Sequence, residues 1–257
     1  MNQFNEWFRD RVALVTGASS GMGFEIAVAL GRVGSRVGVN FRKNAQGAAE
    51  AVREIEAAGG QGRAIQADVS QGADVARMYD ELADAFGDRI DMLVNNAGDW
   101  MDKLPIADCD DQTWQRMWES NATSVFLCCR AAARKMIAQG EGAIVNLGSV
   151  AGHTGGGGGT VPYAAAKAAV HTFTRGLARE LGPEGIRVNC VSPGMIATAM
   201  LEGRVTPEAH DAFTGMIPLR RMGEAREIAP LVLTLLSSAG SYITGEVIQV
   251  DGGLLMR

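Results

Sequence analysis

Short apolar runs rich in β-branched residues alternate along this chain with longer amphipathic stretches. That alternation constrains the fold more than any other feature. Residues 12–16, 36–41, 63–67, 91–94, 143–147, 186–191 and 246–250 read as strands. Between them, 21–34, 45–58, 71–86, 111–139, 162–181 and 224–236 read as helices. Strands separated by helices of this length make βαβ units and a parallel sheet. Several runs are apolar without interruption, as strands buried on both faces must be. The pattern predicts an α/β, Rossmann-type doubly wound parallel sheet of about seven strands with helices on both faces. No linker, repeat or composition break divides the chain. Residues 1–257 therefore read as a single domain, with 1–10 as an N-terminal extension and 195–222 as a substrate loop.

Glycine is the compositional outlier: 33 of 257 residues, against a usual share of about 7%. With 47% hydrophobic residues the chain can still pack a core. The net charge is −5, with no basic cluster, which argues against a nucleic-acid partner. The uncharged stretch 143–166 is too rich in glycine and polar residues to read as a membrane span. Near the start, Glu6, Arg9 and Asp10 interrupt Trp7 and Phe8, unlike the apolar core of a signal peptide. Cys128 and Cys129 are neighbours, Cys109 and Cys190 are isolated, and the three His are scattered. Neither a disulfide framework nor a metal site is expected, and the chain reads as cytoplasmic.

The first strand runs into Gly17-Ala18-Ser19-Ser20-Gly21-Met22-Gly23 and then a helix. Glycines at a strand-to-helix turn let the backbone approach a pyrophosphate at the helix N-terminus. A tight turn that binds nothing would carry the same glycines, but the placement after the first strand favours a dinucleotide. The carboxylate that clamps the adenosine ribose in NAD enzymes is expected about 20 residues on. No Asp or Glu occurs from Ile26 to Ala49, and the second strand ends Asn40-Phe41-Arg42-Lys43. Arg42 could pair with a 2′-phosphate, so NADP(H) is favoured, with NAD(H) possible.

Tyr163 and Lys167 stand four apart early in a predicted helix and share a face. A nearby ammonium is expected to lower the phenol pKa from about 10 and make Tyr163 a usable acid and base. On its own the pair could be an ordinary exposed helix face. Ser149, however, follows the fifth strand and Asn95-Asn96-Ala97-Gly98 the fourth, both at the sheet end where such folds bind ligands. Asn121 sits within a predicted helix, a poor place for Asn unless its amide is used.

These motifs together resemble the short-chain dehydrogenase/reductase family over residues 11–253. The glycine loop matches the family's TGxxxGxG. Asn121, Ser149, Tyr163 and Lys167 match its catalytic tetrad in order and approximate spacing. The resemblance implies that Tyr163 is the general acid/base and that Lys167 lowers its pKa and holds the nicotinamide ribose. It implies further that Ser149 positions the substrate oxygen and that Asn121 holds a water in a relay to Lys167. Asp68 would contact the adenine amino group, although it could equally cap the helix after it. Val69, Asn95, Ala97, Gly98, Pro193, Gly194, Ile196 and Thr198 complete the implied cofactor set, with Thr198 on the nicotinamide carboxamide. In the family, Asp at the Phe41 position favours NAD and a basic residue just after it favours NADP. The second basic marker of some NADP members is missing here, since Ser20 stands in its place.

The chain departs from the family between Ser149 and Tyr163, which lie slightly further apart than usual. Five consecutive glycines, 155–159, fill that interval. They read either as a flexible surface loop or as room for a substrate or closing lid. Trp100, His153, Met195 and Met200 are candidate substrate contacts beside Ser149. The Met-rich segment 195–222 could adapt to an apolar ligand or simply pack. Apolar and small residues around 125–133 and 164–177 suggest an interface, and the family usually forms a homotetramer. The expected activity is hydride exchange between NADP(H) and a ketone or secondary alcohol, as in 3-oxoacyl thioester reductases. Polyol, sugar or other secondary alcohol dehydrogenases of the same family are the alternative. A non-catalytic nucleotide-binding regulator is the alternative of another class, and it would have no need of the tetrad.

Overall fold

The computed structural model describes residues 3–100, 104–198 and 207–256. Seven parallel strands form one sheet in the order β3-β2-β1-β4-β5-β6-β9. They are β1 (Val12–Val15), β2 (Arg36–Phe41), β3 (Gln61–Gln66), β4 (Met92–Asn95), β5 (Gly142–Leu147), β6 (Ile186–Pro193) and β9 (Val247–Val250). The chain winds outward from β1 in one direction to β3, then returns and winds the other way from β4. The strand order therefore reverses between β1 and β4, and a crevice opens at the carboxyl ends of that pair.

Alternate side chains of each strand pass to opposite faces and build two cores. Ala13, Val15, Val37 and Val39 pack with Ile26 of α2 (Gly21–Arg32), Ile55 of α3 (Ala45–Ala57) and Val232 of α10 (Ala229–Leu236). Val12, Leu14, Leu93 and Ile144 pack on the other face. Their partners there are Met78 and Leu82 of α4 (Gly72–Phe86), Met136 of α6 (Ser124–Gln139) and Val170 of α8 (Val161–Leu181). Leu14 and Ile26 are fully buried, and each such side chain contributes about 1.5–3 kcal/mol of burial free energy. The strand β3 is an edge, and Gln61, Arg63 and Gln66 on it are exposed or half-exposed, as a one-sided edge permits.

Three regions differ from the sequence reading. The long helix expected over 111–139 is divided: α5 (Asp111–Trp118) and α6 flank a π-helical turn, Glu119–Thr123. A single inserted residue widens the turn without changing the hydrophobic pattern on either side, so periodicity could not reveal it. The helix expected from 224 starts later. Glu224 and Glu227 form a capping box on a short 3₁₀ turn before α10. The segment after β6 is not only loop. It carries β7 (Ile196–Ala197), α9 (Pro207–Met216) and β8 (Gly223–Glu224), and β7 pairs in parallel with β8. The N-terminal extension forms α1 (Gln3–Phe8), anchored by fully buried Phe8.

Candidate active site

The crevice is built first by hydrogen bonds between loops. Thr16 Oγ1, just past β1, accepts from the N–H groups of Asn96 and Ala97, both at 3.0 Å. Asn96 Nδ2 donates back to the carbonyls of Thr16 and Gly17 at 2.9 and 3.0 Å. Gly17 holds φ +61°, and a Cβ there would come 2.9 Å from Ala97 Cα. A Cβ on Gly23 would lie 2.4 Å from Asn96 Nδ2. Any side chain at either position would push the two loops apart. Asn40, buried at the end of β2, accepts from Gly17 N–H at 3.1 Å and donates to the carbonyls of Ile65 and Ala67. Asn44 caps α3 and donates to the Ser19 carbonyl at 3.1 Å.

Between these loops lies a cleft of about 370 Å³. Gly17, Ser19, Ser20, Gly21 and Met22 form one wall, and Ala67, Asp68, Val69, Ala97, Gly98 and Thr198 line it elsewhere. Ser20 precedes α2 but makes no side-chain cap, which leaves the first N–H groups of that helix aimed at the cleft. Arg42 and Lys43 line it as well. These features fit a dinucleotide: glycine walls and a helix N-terminus for the phosphates.

Arg42 is about half-exposed, with Nη1 3.7 Å from Asp68 Oδ2. Asp68 does not cap the following helix. Its Oδ1 accepts from Ser70 N–H and Oγ, closing a local turn, while Asp74 within α4 accepts from the Asp68 N–H at 2.8 Å. Several other expected cofactor residues act from behind the cleft. Phe41 packs in the core. Asn95 is buried and donates to Asn146 Oδ1 at 2.8 Å, inside the protein. The Pro193 carbonyl accepts from Val150 N–H, and Gly194 N–H donates to the Val250 carbonyl, each at 3.0 Å. Ile196 is buried in β7.

The candidate tetrad lies next to Gly98, which lines the cleft. Ser149 lies just past β5, before α7 (Ala151–Thr154), and its hydroxyl accepts from Ala151 N–H at 3.1 Å. Tyr163 and Lys167 project from the first turns of α8, and Ser149 hydrogen-bonds the Tyr163 hydroxyl. Lys167 is buried and donates to the Leu147 carbonyl at 2.8 Å, with its ammonium 5.8 Å from the Tyr163 ring centre. Burial lowers the Lys167 pKa to about 8. The Tyr163 pKa departs from the sequence reading: burial raises it above the ordinary value, and the Ser149 hydrogen bond opposes that rise only in part. Desolvation of the phenolate outweighs an ammonium that spends its hydrogen bond on Leu147.

Asn121 sits in the π-helical turn, fully buried. Its amide is used, as its placement in a helix suggested, and the partner is backbone. Nδ2 donates to the Asp99 carbonyl at 2.9 Å, and Oδ1 accepts from Asp99 N–H at 3.3 Å. A Cβ on Gly98 would lie 2.7 Å from Asn121 Oδ1 and 3.5 Å from Lys167 Nζ, so the fourth tetrad member converges on the same point.

Of the candidate substrate residues, Trp100 reaches the site. It lines a small cavity of about 20 Å³ beside Tyr163, with Leu104, Met117 and Pro162. His153 is brought instead to His171, and Met195 lines neither cavity. Met200 lies outside the described residues. The glycine run is tied to its surroundings at its two ends. Gly155 ends α7 in the left-handed region, Gly156, Gly158 and Gly159 also have positive φ, and Gly159 accepts from Leu104 N–H at 3.0 Å. A Cβ on Gly159 would stand 2.6 Å from Leu104 N. Asn40, Thr16 and Asn96 are the contributors the sequence reading missed. A polar side chain ending an otherwise apolar buried strand, as in Asn40, was the available signal.

The chain matches a family model described as enoyl-(acyl carrier protein) reductase over residues 17–255. It is 41% identical over 247 residues to a 3-oxoacyl-[acyl-carrier-protein] reductase of Synechocystis sp., covering 96% of this chain and 97% of that one. A short-chain type dehydrogenase/reductase from Mycobacterium marinum superposes with a TM-score of 0.92 at 37% identity, over 99% of this chain and 100% of the other. A putative gluconate dehydrogenase from Agrobacterium tumefaciens gives 0.91 at 33% identity, covering 98% and 99%. With the sheet order, the glycine cleft and the four converging side chains already in place, the chain belongs to the short-chain dehydrogenase/reductase family and is an oxidoreductase that works with a nicotinamide cofactor on CH–OH or ketone groups.

Proposed function

We propose that the protein is an NADP(H)-dependent ketone reductase whose substrates include 3-oxoacyl thioesters. The observation that carries this reading is the grouping of Ser149, Tyr163 and Lys167 next to Gly98, which itself lines the cleft that also presents Arg42 and Lys43. The hydride comes from the nicotinamide when it is bound. Tyr163 holds its proton at neutral pH because burial disfavours the phenolate, so it is ready to protonate the carbonyl oxygen as the alcohol forms. Ser149 bonds the same oxygen and aligns it. Lys167 stays largely protonated near pH 7 with a pKa of about 8, and it supports the developing charge on Tyr163. Asn121 fixes the Asp99 backbone and hence the wall that carries Gly98 and Trp100.

The 41% identity to a 3-oxoacyl-[acyl-carrier-protein] reductase supports the acyl thioester reading. The cavity beside Tyr163, about 20 Å³ and lined by Trp100, Leu104 and Met117 together with Thr113 and Thr160, has room for no more than a small group. Arg42 is exposed enough to leave Asp68 for a 2′-phosphate, and no carboxylate at the end of β2 would repel it. The exposed Trp114 and Phe126, on α5 and α6, support a homotetramer built on these helices and α8. The four free cysteines suit a reducing cytoplasm. Among the described residues no helix is long and apolar enough to cross a membrane.

Nicotinamide absorbance with a panel of ketones tests the activity. Tyr163→Phe should abolish turnover by about 10³-fold or more, and turnover that survives it refutes the catalytic assignment. Arg42→Ala should weaken NADPH binding about tenfold while leaving NADH binding within about twofold. Equal losses for the two cofactors would refute the 2′-phosphate contact.

A further inference from the structure

The turn that carries Ser149 is packed around an imidazole that the chemistry above does not use. His171 lies on α8, about two turns beyond Tyr163, and is buried. Two glycines make room for its ring. A Cβ on Gly148 would lie 2.4 Å from His171 Nε2, and one on Gly152 would lie 2.7 Å from its Cε1. With both side chains absent, Nε2 reaches the backbone of the turn and accepts from the Ser149 N–H at 3.5 Å. The His153 ring of α7 stacks on the His171 ring, with centroids 4.3 Å apart and 35° between their planes. His153 Nε2 in turn lies 3.4 Å from Gln249 Nε2 on β9. Contacts thus run from β9 through α7 and α8 to the residue that bonds the Tyr163 hydroxyl.

Only an unprotonated ring nitrogen can accept an N–H, so the neutral ring carries its proton on Nδ1. A second proton, at Nε2, would set donor against donor and free the Ser149 peptide. Groups placed against the ring include His153 on α7 and Cys190 on β6, with Lys167 one turn before it on α8. Cys190 Sγ would meet the same Gly148 Cβ at 2.7 Å. Arg175, one turn on along α8, acts electrostatically on Cys190.

We propose that neutral His171, accepting through Nε2, is a positioning residue that holds Ser149 in register with Tyr163, and that its protonation lowers turnover. This rests on the catalytic reading of Ser149 and Tyr163. The test compares wild type, H171L, H171Q and Y163F in ketone reduction at saturating NADPH, across pH. H171L should lose about tenfold in kcat with KM for NADPH unchanged, since small displacements of a reacting group cost that order. H171Q, whose Oε1 can take the place of Nε2, should recover most of that loss and lack the wild type's decline in kcat on the acid side. Independently of activity, ¹⁵N spectra of the wild-type imidazoles should show a ring protonated at Nδ1 alone, absent from H171Q. An H171L enzyme with wild-type kcat and the same acid limb overturns the proposal, as does a His171 protonated at Nε2. If H171L does not fold, H171Q and the spectra decide. Turnover that survives in Y163F would instead overturn the catalytic reading on which it rests.

Discussion

Lys167 is the most costly side chain in the site to bury, and that cost can be read from the pH dependence of stability. Its pKa falls from 10.5 to about 8 on folding because the ammonium loses its water. A lowered pKa on a cationic group means the unfolded chain binds more protons between those two values, so stability rises with pH across that window. At one pKa unit per about 1.4 kcal/mol, the folded protein should gain about 2 kcal/mol from this residue between about pH 7 and about pH 9.5. Lys167→Met keeps the volume and removes the titration. It also leaves the Leu147 carbonyl without its donor, but that loss does not vary with pH. Urea unfolding of both proteins, followed by tryptophan fluorescence at matched concentration, isolates the difference. Wild type should gain on the variant by about 2 kcal/mol as the pH rises over that range. A wild-type gain over the variant of less than about 0.5 kcal/mol, or a wild-type loss relative to it, as the pH rises over that range would show that Lys167 is not desolvated in the folded state.

Two further perturbations follow from the same geometry. Gly159→Ala should cost about 1–3 kcal/mol, because its φ of +87° and the nearby Leu104 backbone both reject a Cβ. Gly157→Ala, with nothing within 4 Å and no positive φ, should be neutral in the same melting experiment; equal effects would mean the run is slack. Arg187 donates to the carbonyls of Leu235, Leu236, Ser237 and Gly240, closing the end of α10. Arg187→Met should therefore destabilise by about 2–4 kcal/mol, while turnover per folded molecule, measured beside the melt, stays unchanged.

The strand and helix pattern was legible because two-sided burial writes continuous apolar runs into the chain, as at Val12–Val15. The candidate tetrad came from the resemblance to the family, and the structure places its Tyr163 and Lys167 on one helix with Ser149 just past a strand end. The π-helical turn at Asn121 was not, since one inserted residue leaves the apolar positions of α5 and α6 each in phase with themselves. The upward shift of the Tyr163 pKa was also hidden: it depends on how much water the folded pocket excludes, which no spacing encodes.

The sequence by itself determined the doubly wound sheet and the glycine loop, because each depends on periodicity or on residues a few positions apart. The tertiary structure decided which side chains hold that machinery in place. Asn40 and Asn96 bind the loops of three strands together. Gly159 fits against Leu104, and Gly148 and Gly152 admit His171 beneath Ser149. These partners come from distant segments, and only closure of the sheet and its helices brings them within hydrogen-bonding reach. The same closure sets Gly159, at one end of a run of glycines that looked like slack, against the Leu104 backbone where no larger residue fits.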